Sequence, residues 1–269
     1  MGRGKMILEV RGLCAETESG ISLLRNLDFT VDEGEIVGIA GQSGSGKSLT
    51  SLAIMGLLPK TIRVRGSIVL AGREISGLGE GELNKIRGAY AAIVFQEPGA
   101  ALDPLMPMGR QIALALKKHS ALRGAKLREG VYTLMEEVML KDIFRLARSF
   151  PHEVSGGQRQ RVAIAIALAC SPKLLIADEP TSSVDAQVQK QLLSLIADAA
   201  VRRNMGALFI THDIAAARKI AGRILVMKDG RIVEEASAEK LIESPQHEYT
   251  RLLIESVKRL DMALKARRA

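Results

Sequence analysis

The chain has 269 residues, 47% of them hydrophobic, which is enough for one large α/β domain or a domain with a helical insert. Basic residues outnumber acidic ones by 38 to 30, for a net charge of +8, but aromatics make up only 3% with no tryptophan, which argues against a base-stacking nucleic-acid platform. The two cysteines, Cys14 and Cys170, are far apart and lack metal-ligand spacing, and the longest apolar run, Val162 to Cys170, is far shorter than the ~20 residues of a membrane helix, so a disulfide framework and a membrane span are both excluded.

In chain order, Arg3 and Lys5 are followed by no long apolar stretch, so no signal peptide is expected and the protein is predicted to be cytoplasmic. Met6–Val10, Leu27–Val31 and Glu35–Ala40 read as short strands, with a turn at Asp32–Glu35. Leu49–Met55 suits a helix, and Gly66–Leu70 and Tyr90–Phe95 read as strands. From about Gly99 to Arg159 the pattern is helical, clearest at Gln111–Lys118 and Leu127–Leu140. A helix is predicted over Val162–Ala169, ending at Ser171-Pro172, and strand character returns at Leu174–Ala177, Ala207–Ile210 and Ile224–Met227. The pattern is an α/β core interrupted by a helical insert of about sixty residues, with no internal repeat. The end of the chain is basic (Lys258, Arg259, Lys265, Arg267 and Arg268 against Asp261) and reads as a solvated terminal helix.

Residues 41–48, Gly41-Gln42-Ser43-Gly44-Ser45-Gly46-Lys47-Ser48, match the phosphate-loop pattern G-x-x-x-x-G-K-[ST] in full, between a predicted strand and a predicted helix. A polyphosphate is held by inward-pointing backbone N–H groups, which requires close approach and a sharp bend. Gly41, Gly44 and Gly46 are read as permitting that where a Cβ would clash. Lys47 supplies a compact cation for the terminal phosphates, and Ser48 offers a hydroxyl to Mg²⁺. The helix beginning there, with Leu49 next, turns its positive end to the phosphates. Nucleoside triphosphate binding is the expectation.

Leu174–Ala177 is an apolar strand ending in Asp178-Glu179. Beside a phosphate loop, Asp178 is suited to hold Mg²⁺ and Glu179 to orient and polarise an attacking water. Alone, the pair would read as a capping acid pair. Val154 to Arg161 contains Ser155-Gly156-Gly157-Gln158, in which Ser155 is a good N-cap and two glycines leave the helix start bare for an anion. One nucleotide has no need of two helix ends carrying phosphate motifs. The second motif therefore suggests that each chain also serves a nucleotide bound on another chain. A GTPase would need Asn-Lys-x-Asp, whereas Asn84-Lys85 is followed by Ile86-Arg87.

The ordered set of phosphate loop, Gln96, Ser155 to Gln158, Asp178-Glu179, Asp185 and His212 closely resembles the ATP-binding cassette (ABC) family. The resemblance implies a P-loop NTPase (RecA-like) α/β core with an N-terminal antiparallel β subdomain and an inserted helical subdomain at about 97–159, making an ATPase domain over 1–235, followed by a C-terminal helical extension at 236–269. It implies that Gln96 senses Mg²⁺ and water, that Ser182-Ser183-Val184-Asp185 crosses a dimer interface, and that His212 contacts the terminal phosphate. It further implies two ATP molecules sandwiched in a head-to-tail dimer whose closing drives a membrane partner.

Phe95-Gln96-Glu97-Pro98, Leu102–Met106, Ser48–Pro59 and Ser244–Leu253 look like the dipeptide, oligopeptide and nickel importer ATPases. That likeness implies two transmembrane permease subunits, a second ATPase chain that is identical or different, an extracytoplasmic substrate-binding protein, no nucleic acid, and a place on the cytoplasmic face of the inner membrane. The alternative is a cassette ATPase of a soluble enzyme assembly such as a phosphonate-degrading complex. Two departures stand out. No aromatic precedes Phe29, so the slot near Ala15-Glu16 lacks the family's adenine-stacking ring. No cysteine follows Cys170, which, with the early end of the chain and the missing aromatic, leans toward the nickel or metal-chelate branch.

Overall fold

The computed structural model describes residues 5–97, 101–182 and 184–256, with the backbone alone of His119. Pro98 of the importer-like stretch, Ser183 of the expected interface loop and the basic tail from 257 onward lie outside the described residues. The chain forms two compact units, Met1–Gly77 with Gly206–Ala269, and Leu78–Met205.

In the first unit, β1 (Met6–Thr17) and β2 (Ser22–Asp32) form an antiparallel pair well beyond the short runs expected from sequence. Leu8, Val10, Leu13 and Ala15 are buried, as are Leu24, Leu27, Phe29 and Val31. The ladder continues past these apolar runs because register shifts after Val10 and Leu13 absorb the break in alternation at Arg11-Gly12. β4 (Ile62–Leu70) pairs with β1, and the two-residue β5 (Arg73–Glu74) completes the order β2-β1-β4-β5.

A second sheet is built on β3 (Ile36–Ala40), buried throughout. β8 (Gly206–Thr211) and β9 (Arg223–Lys228) flank it in parallel, and β10 (Arg231–Ser237) runs antiparallel to β9. These three parallel strands read as apolar runs rather than alternations because both faces of the layer are covered. α1 (Lys47–Ile54) follows the phosphate loop, and α8 (Ile214–Ile220) packs on β3 and β8. α9 (Ala238–Glu243) follows β10, and residues 248–256 are helical. Arg223 joins the strands: its guanidinium donates to both Glu35 oxygens (3.0 and 3.1 Å), to the Thr30 carbonyl (2.9 Å) and to Glu235.

The second unit holds α2 (Glu80–Ile86), β6 (Ala91–Val94), α3 (Met108–His119), α4 (Gly124–Glu137), α5 (Ile143–Leu146), α6 (Gly156–Leu168), β7 (Leu174–Asp178) and α7 (Ala186–Arg202). β6 and β7 pair in parallel. α3 packs on α4 and α6 around buried Met108, Ile112, Met135, Leu146, Val162 and Ile164. Gly109 lets the start of α3 pack against the end of α5, since a Cβ there would lie 2.8 Å from the Ala147 carbonyl oxygen. Arg203, just past α7, donates to both oxygens of Glu137 at the end of α4 (3.1 and 2.6 Å). Among the described residues, no helix is long and apolar enough to cross a membrane.

Candidate nucleotide site

Parallel strands deliver the functional residues to their carboxyl ends, as open α/β sheets do. In the first unit, Ala40 of β3 lies opposite Thr211 of β8, so the phosphate loop and His212 leave the sheet at the same edge. In the second unit, Val94 of β6 lies opposite Ala177 of β7, so Gln96 and the Asp178-Glu179 pair likewise leave together.

The loop divides into a buried base and an exposed rim. Gly41, Ser45 and Lys47 are buried, whereas Gln42, Ser43, Gly44 and Ser48 face solvent. Lys47, only 4% exposed, donates from Nζ to the carbonyls of Gly41 (2.8 Å) and Gln42 (2.9 Å), so its ammonium is held inside the curl of the loop. The Thr50 hydroxyl donates to the Gly46 carbonyl (2.9 Å) and ties the first turn of α1 to the loop. The buried Ser45 hydroxyl has no hydrogen-bond partner among the described residues.

The three glycines are required for different reasons. A Cβ on Gly41 would lie 2.3 Å from the Met227 carbonyl oxygen, and one on Gly46, at φ 104°, would lie 2.9 Å from the Leu24 side chain. Gly44 corrects the expectation of a clash: among the described residues, its two chain neighbours aside, nothing lies within 4 Å of its Cβ position, and glycine is needed there for a φ of 81°. The Gln42 N–H donates to the Tyr249 hydroxyl (2.9 Å), a contact sequence reading missed because it took Tyr249 only as part of a tail motif.

His212 is exposed between the end of β8 and α8. Its neighbours fix the backbone there. The Asp213 N–H donates to the Thr211 hydroxyl (3.0 Å), and the Asp213 carboxylate caps α8 by accepting from the N–H groups of Ala215 (2.9 Å) and Ala216 (3.1 Å).

In the second unit, Asp178 is a buried carboxylate at the tip of β7, 6% exposed. Glu179, which follows, has φ 46°, the left-handed region that a residue with a side chain occupies at a cost. The Ser182 hydroxyl donates to the Glu179 carbonyl (3.1 Å) and supports that turn. Gln96 is exposed two residues past β6.

Ser155 caps α6 as expected, and the cap is reciprocal. Its hydroxyl accepts from the Gln158 N–H (3.3 Å), and the Gln158 side chain accepts from the Ser155 N–H (3.0 Å). Arg159 clamps the approach by donating to the carbonyls of Pro151 (3.1 Å) and Val154 (2.7 Å). Gly156 is open to solvent, while a Cβ on Gly157 would come within 3.1 Å of Val188. Val188 lies on α7, whose N-cap is Asp185, accepting from the N–H groups of Gln187 and Val188 (both 3.0 Å). The helices that begin after Ser155 and Asp185, α6 and α7, therefore start side by side. The slot near Ala15-Glu16 falls on β1, where Ala15 is fully buried and Glu16 half-buried.

A glycine-bent loop around a buried lysine, with acids borne on parallel strands, defines the class of P-loop nucleoside triphosphatases. The family described as "ABC transporter" matches residues 24–182, and the one described as "Oligopeptide/dipeptide transporter, C-terminal region" matches residues 233–269. The chain is 42% identical over 262 residues to the probable peptide ABC transporter ATP-binding protein y4tR of Sinorhizobium fredii, covering 95% of this chain and 78% of that protein. It is 39% identical over 259 residues to the oligopeptide transport ATP-binding protein OppD of Salmonella typhimurium, covering 95% and 77%. Among solved structures, the ATP-binding cassette MJ0796, a post-hydrolysis dimer bound to ADP and Pi, superposes with a TM-score of 0.77 at 31% identity, covering 86% of this chain and 99% of that one. The chain belongs to the ABC transporter family, with the fold and the ATPase activity of its cassettes.

Proposed function

We propose that this chain is the ATP-hydrolysing subunit of a peptide importer, acting with a second cassette on a separate membrane permease at the cytoplasmic face of the inner membrane. The observation that carries this reading is the joining, in one chain, of a formed phosphate loop to a C-terminal stretch of the oligopeptide/dipeptide transporter type. Peptide transport is the function in the names of both relatives, which supports peptides over nickel or metal chelates, and neither name supports the soluble-assembly alternative.

The phosphate loop, Gly41 to Ser48 with Leu49, holds the ATP phosphates. Displacement of Lys47 from its own loop carbonyls gives the terminal phosphates a cation without exposing that charge beforehand. Ser48, Gln96 and Asp178 are hard oxygen donors of the kind Mg²⁺ takes, and the burial of Asp178 at a strand tip fits a carboxylate kept for a cation. When bound, the ion neutralises charge on the phosphates. Glu179 orients and polarises the water, and His212 contacts the terminal phosphate. Ser155, Gly156, Gly157, Gln158 and Asp185 serve the nucleotide held by the partner cassette. A substrate-binding protein outside the membrane delivers the peptide.

The test is affinity capture of the Glu179→Gln chain with ATP from gently solubilised membranes of the source cell. Recovery of two polytopic permeases, with or without a second cassette chain, is the expected result. Recovery of soluble enzymes alone would sink the importer reading.

A further inference from the structure

The segment after β9 folds back onto the phosphate loop through a chain of contacts within the first unit. Glu234 on β10 accepts from the backbone N–H groups of Gln246 (2.8 Å) and His247 (2.9 Å). Burial acts to raise the pKa of that carboxyl, but these N–H groups, with His247 nearby, outweigh it and hold the value below the ordinary range. His247 Nδ1 in turn accepts from the Tyr249 N–H (3.1 Å). The turn so fixed delivers Tyr249 to the sheet, 8% exposed, with Lys228 Nζ lying 5.2 Å from its ring centroid.

Tyr249 ends on one peptide unit of the phosphate loop. The amide joining Gly41 to Gln42 has its N–H on the Tyr249 hydroxyl (2.9 Å) and its carbonyl on Lys47 Nζ (2.8 Å). Both poles of that peptide are therefore occupied, and rotating it breaks two hydrogen bonds. Gly41 cannot shift toward β9 to compensate, because the Met227 carbonyl is in van der Waals contact behind it. The hydroxyl belongs to residues 233–269, outside the stretch matched to the cassette itself, 24–182.

We propose that Tyr249 is a positioning residue for the ATP site: its hydroxyl fixes the orientation of the Gly41–Gln42 peptide, and so makes the readiness of the phosphate loop depend on the C-terminal segment. Tyr249 does not touch the reacting atoms; it acts through the loop. The proposal rests on the loop being the ATP site.

The experiment compares the full wild-type chain with Tyr249→Phe, which keeps the ring and removes the hydroxyl alone. Loss of one hydrogen bond of ordinary strength corresponds to about a three- to tenfold change in a local equilibrium. In nucleotide-free protein, amide hydrogen exchange in peptides covering 41–46 is expected to quicken by that factor, with exchange elsewhere unchanged. The ATP Kd and KM are expected to rise about three- to tenfold, with kcat within about twofold. Unchanged exchange in the loop, or an unchanged Kd, would overturn the proposal. So would a rise in exchange spread over the whole chain with no selective rise in KM, since that is the mark of a general packing role. Exchange in the free protein reads the clamp without nucleotide. A wild-type chain that binds no ATP would overturn the site assignment and the proposal together, and that outcome is distinct from the others.

Discussion

Gly41 faces the Met227 carbonyl so closely that a Cβ on Gly41 would lie 2.3 Å from that oxygen. Both partners are backbone, the first residue of the phosphate loop and the penultimate residue of β9, so no rotamer change relieves the overlap. Gly41→Ala must push the loop away from the sheet and with it the carbonyl that holds Lys47. A loss of about 1–3 kcal/mol of stability is expected from overpacking, together with loss of ATP binding. Thermal melting with and without ATP checks both: the variant should melt lower and gain nothing from the nucleotide.

Lys47 and Glu179 separate binding from chemistry. Lys47→Ala is expected to impair ATP binding, because the loop loses its buried cation. Glu179→Gln is expected to bind ATP and lose about 10²–10⁴ in turnover, the range of a general base. A steady-state rate near wild type would remove Glu179 from that role.

The backbone at Glu179 adds a second expectation. A side-chain-bearing residue at φ 46° costs about 1–2 kcal/mol relative to ordinary geometry. Glycine relieves that strain but gives part of the gain back as unfolded-chain entropy, about 0.4–1 kcal/mol. Glu179→Gly is therefore expected to unfold at a denaturant concentration equal to or above wild type while losing turnover. A variant both inactive and clearly destabilised would mean that the contacts of the Glu179 side chain outweigh the strain of its left-handed turn.

The fully covered strands were the most legible part of the sequence. β3, β7, β8 and β9 are short apolar runs because a parallel layer hides both faces, and the phosphate loop and Ser155 cap announce themselves by residue type and spacing. β1 and β2 were seen only in part, since Arg11-Gly12 and Arg25-Asn26 interrupt the apolar pattern while the ladder runs on. β10 went unread because Glu234 and Glu235 break its apolar pattern, and both acids are there to bind: Glu234 holds the 246–247 turn and Glu235 pairs with Arg223. Tyr249 was beyond reach for a different reason. Its partner lies 207 residues away, and a hydroxyl accepting from a backbone amide leaves no mark on hydropathy or periodicity.

Asp185 was legible as a residue but not in its structural duty. Its Oδ1 caps α7, so a loss of activity on mutation is ambiguous unless the cap is kept. Asparagine caps as well as aspartate, whereas alanine forfeits about 1 kcal/mol. Asp185→Asn is expected to melt like wild type and Asp185→Ala about 2–4 °C lower, the shift for about 1 kcal/mol in a chain of this size. If turnover also falls in Asp185→Asn, the charge has a role at the cassette interface; if it falls only in Asp185→Ala, the residue is a helix cap alone.

Acid should test one surface carboxylate selectively. Glu74 on β5 accepts from the backbone N–H groups of Ile68 (3.1 Å) and Ser76 (2.9 Å) and from the Ser67 hydroxyl. Its slight burial acts to raise its pKa, but the Ser67 hydroxyl, Ser76 and the Ile68 N–H bring it from 4.5 down to about 2. The folded state thus favours the ionised form, so the contribution to stability is present above pH 4.5 and is lost as pH falls from there toward about 2. Glu74 is exposed, and solvent screening reduces the effect to about 1 kcal/mol or less. Glu74→Gln preserves shape and removes the charge. The wild-type advantage over this variant in urea midpoint should be full at pH 7 and shrink steadily below pH 4.5. A gap that stays constant down to pH 3 would assign the role of Glu74 to packing or neutral hydrogen bonding rather than to its charge.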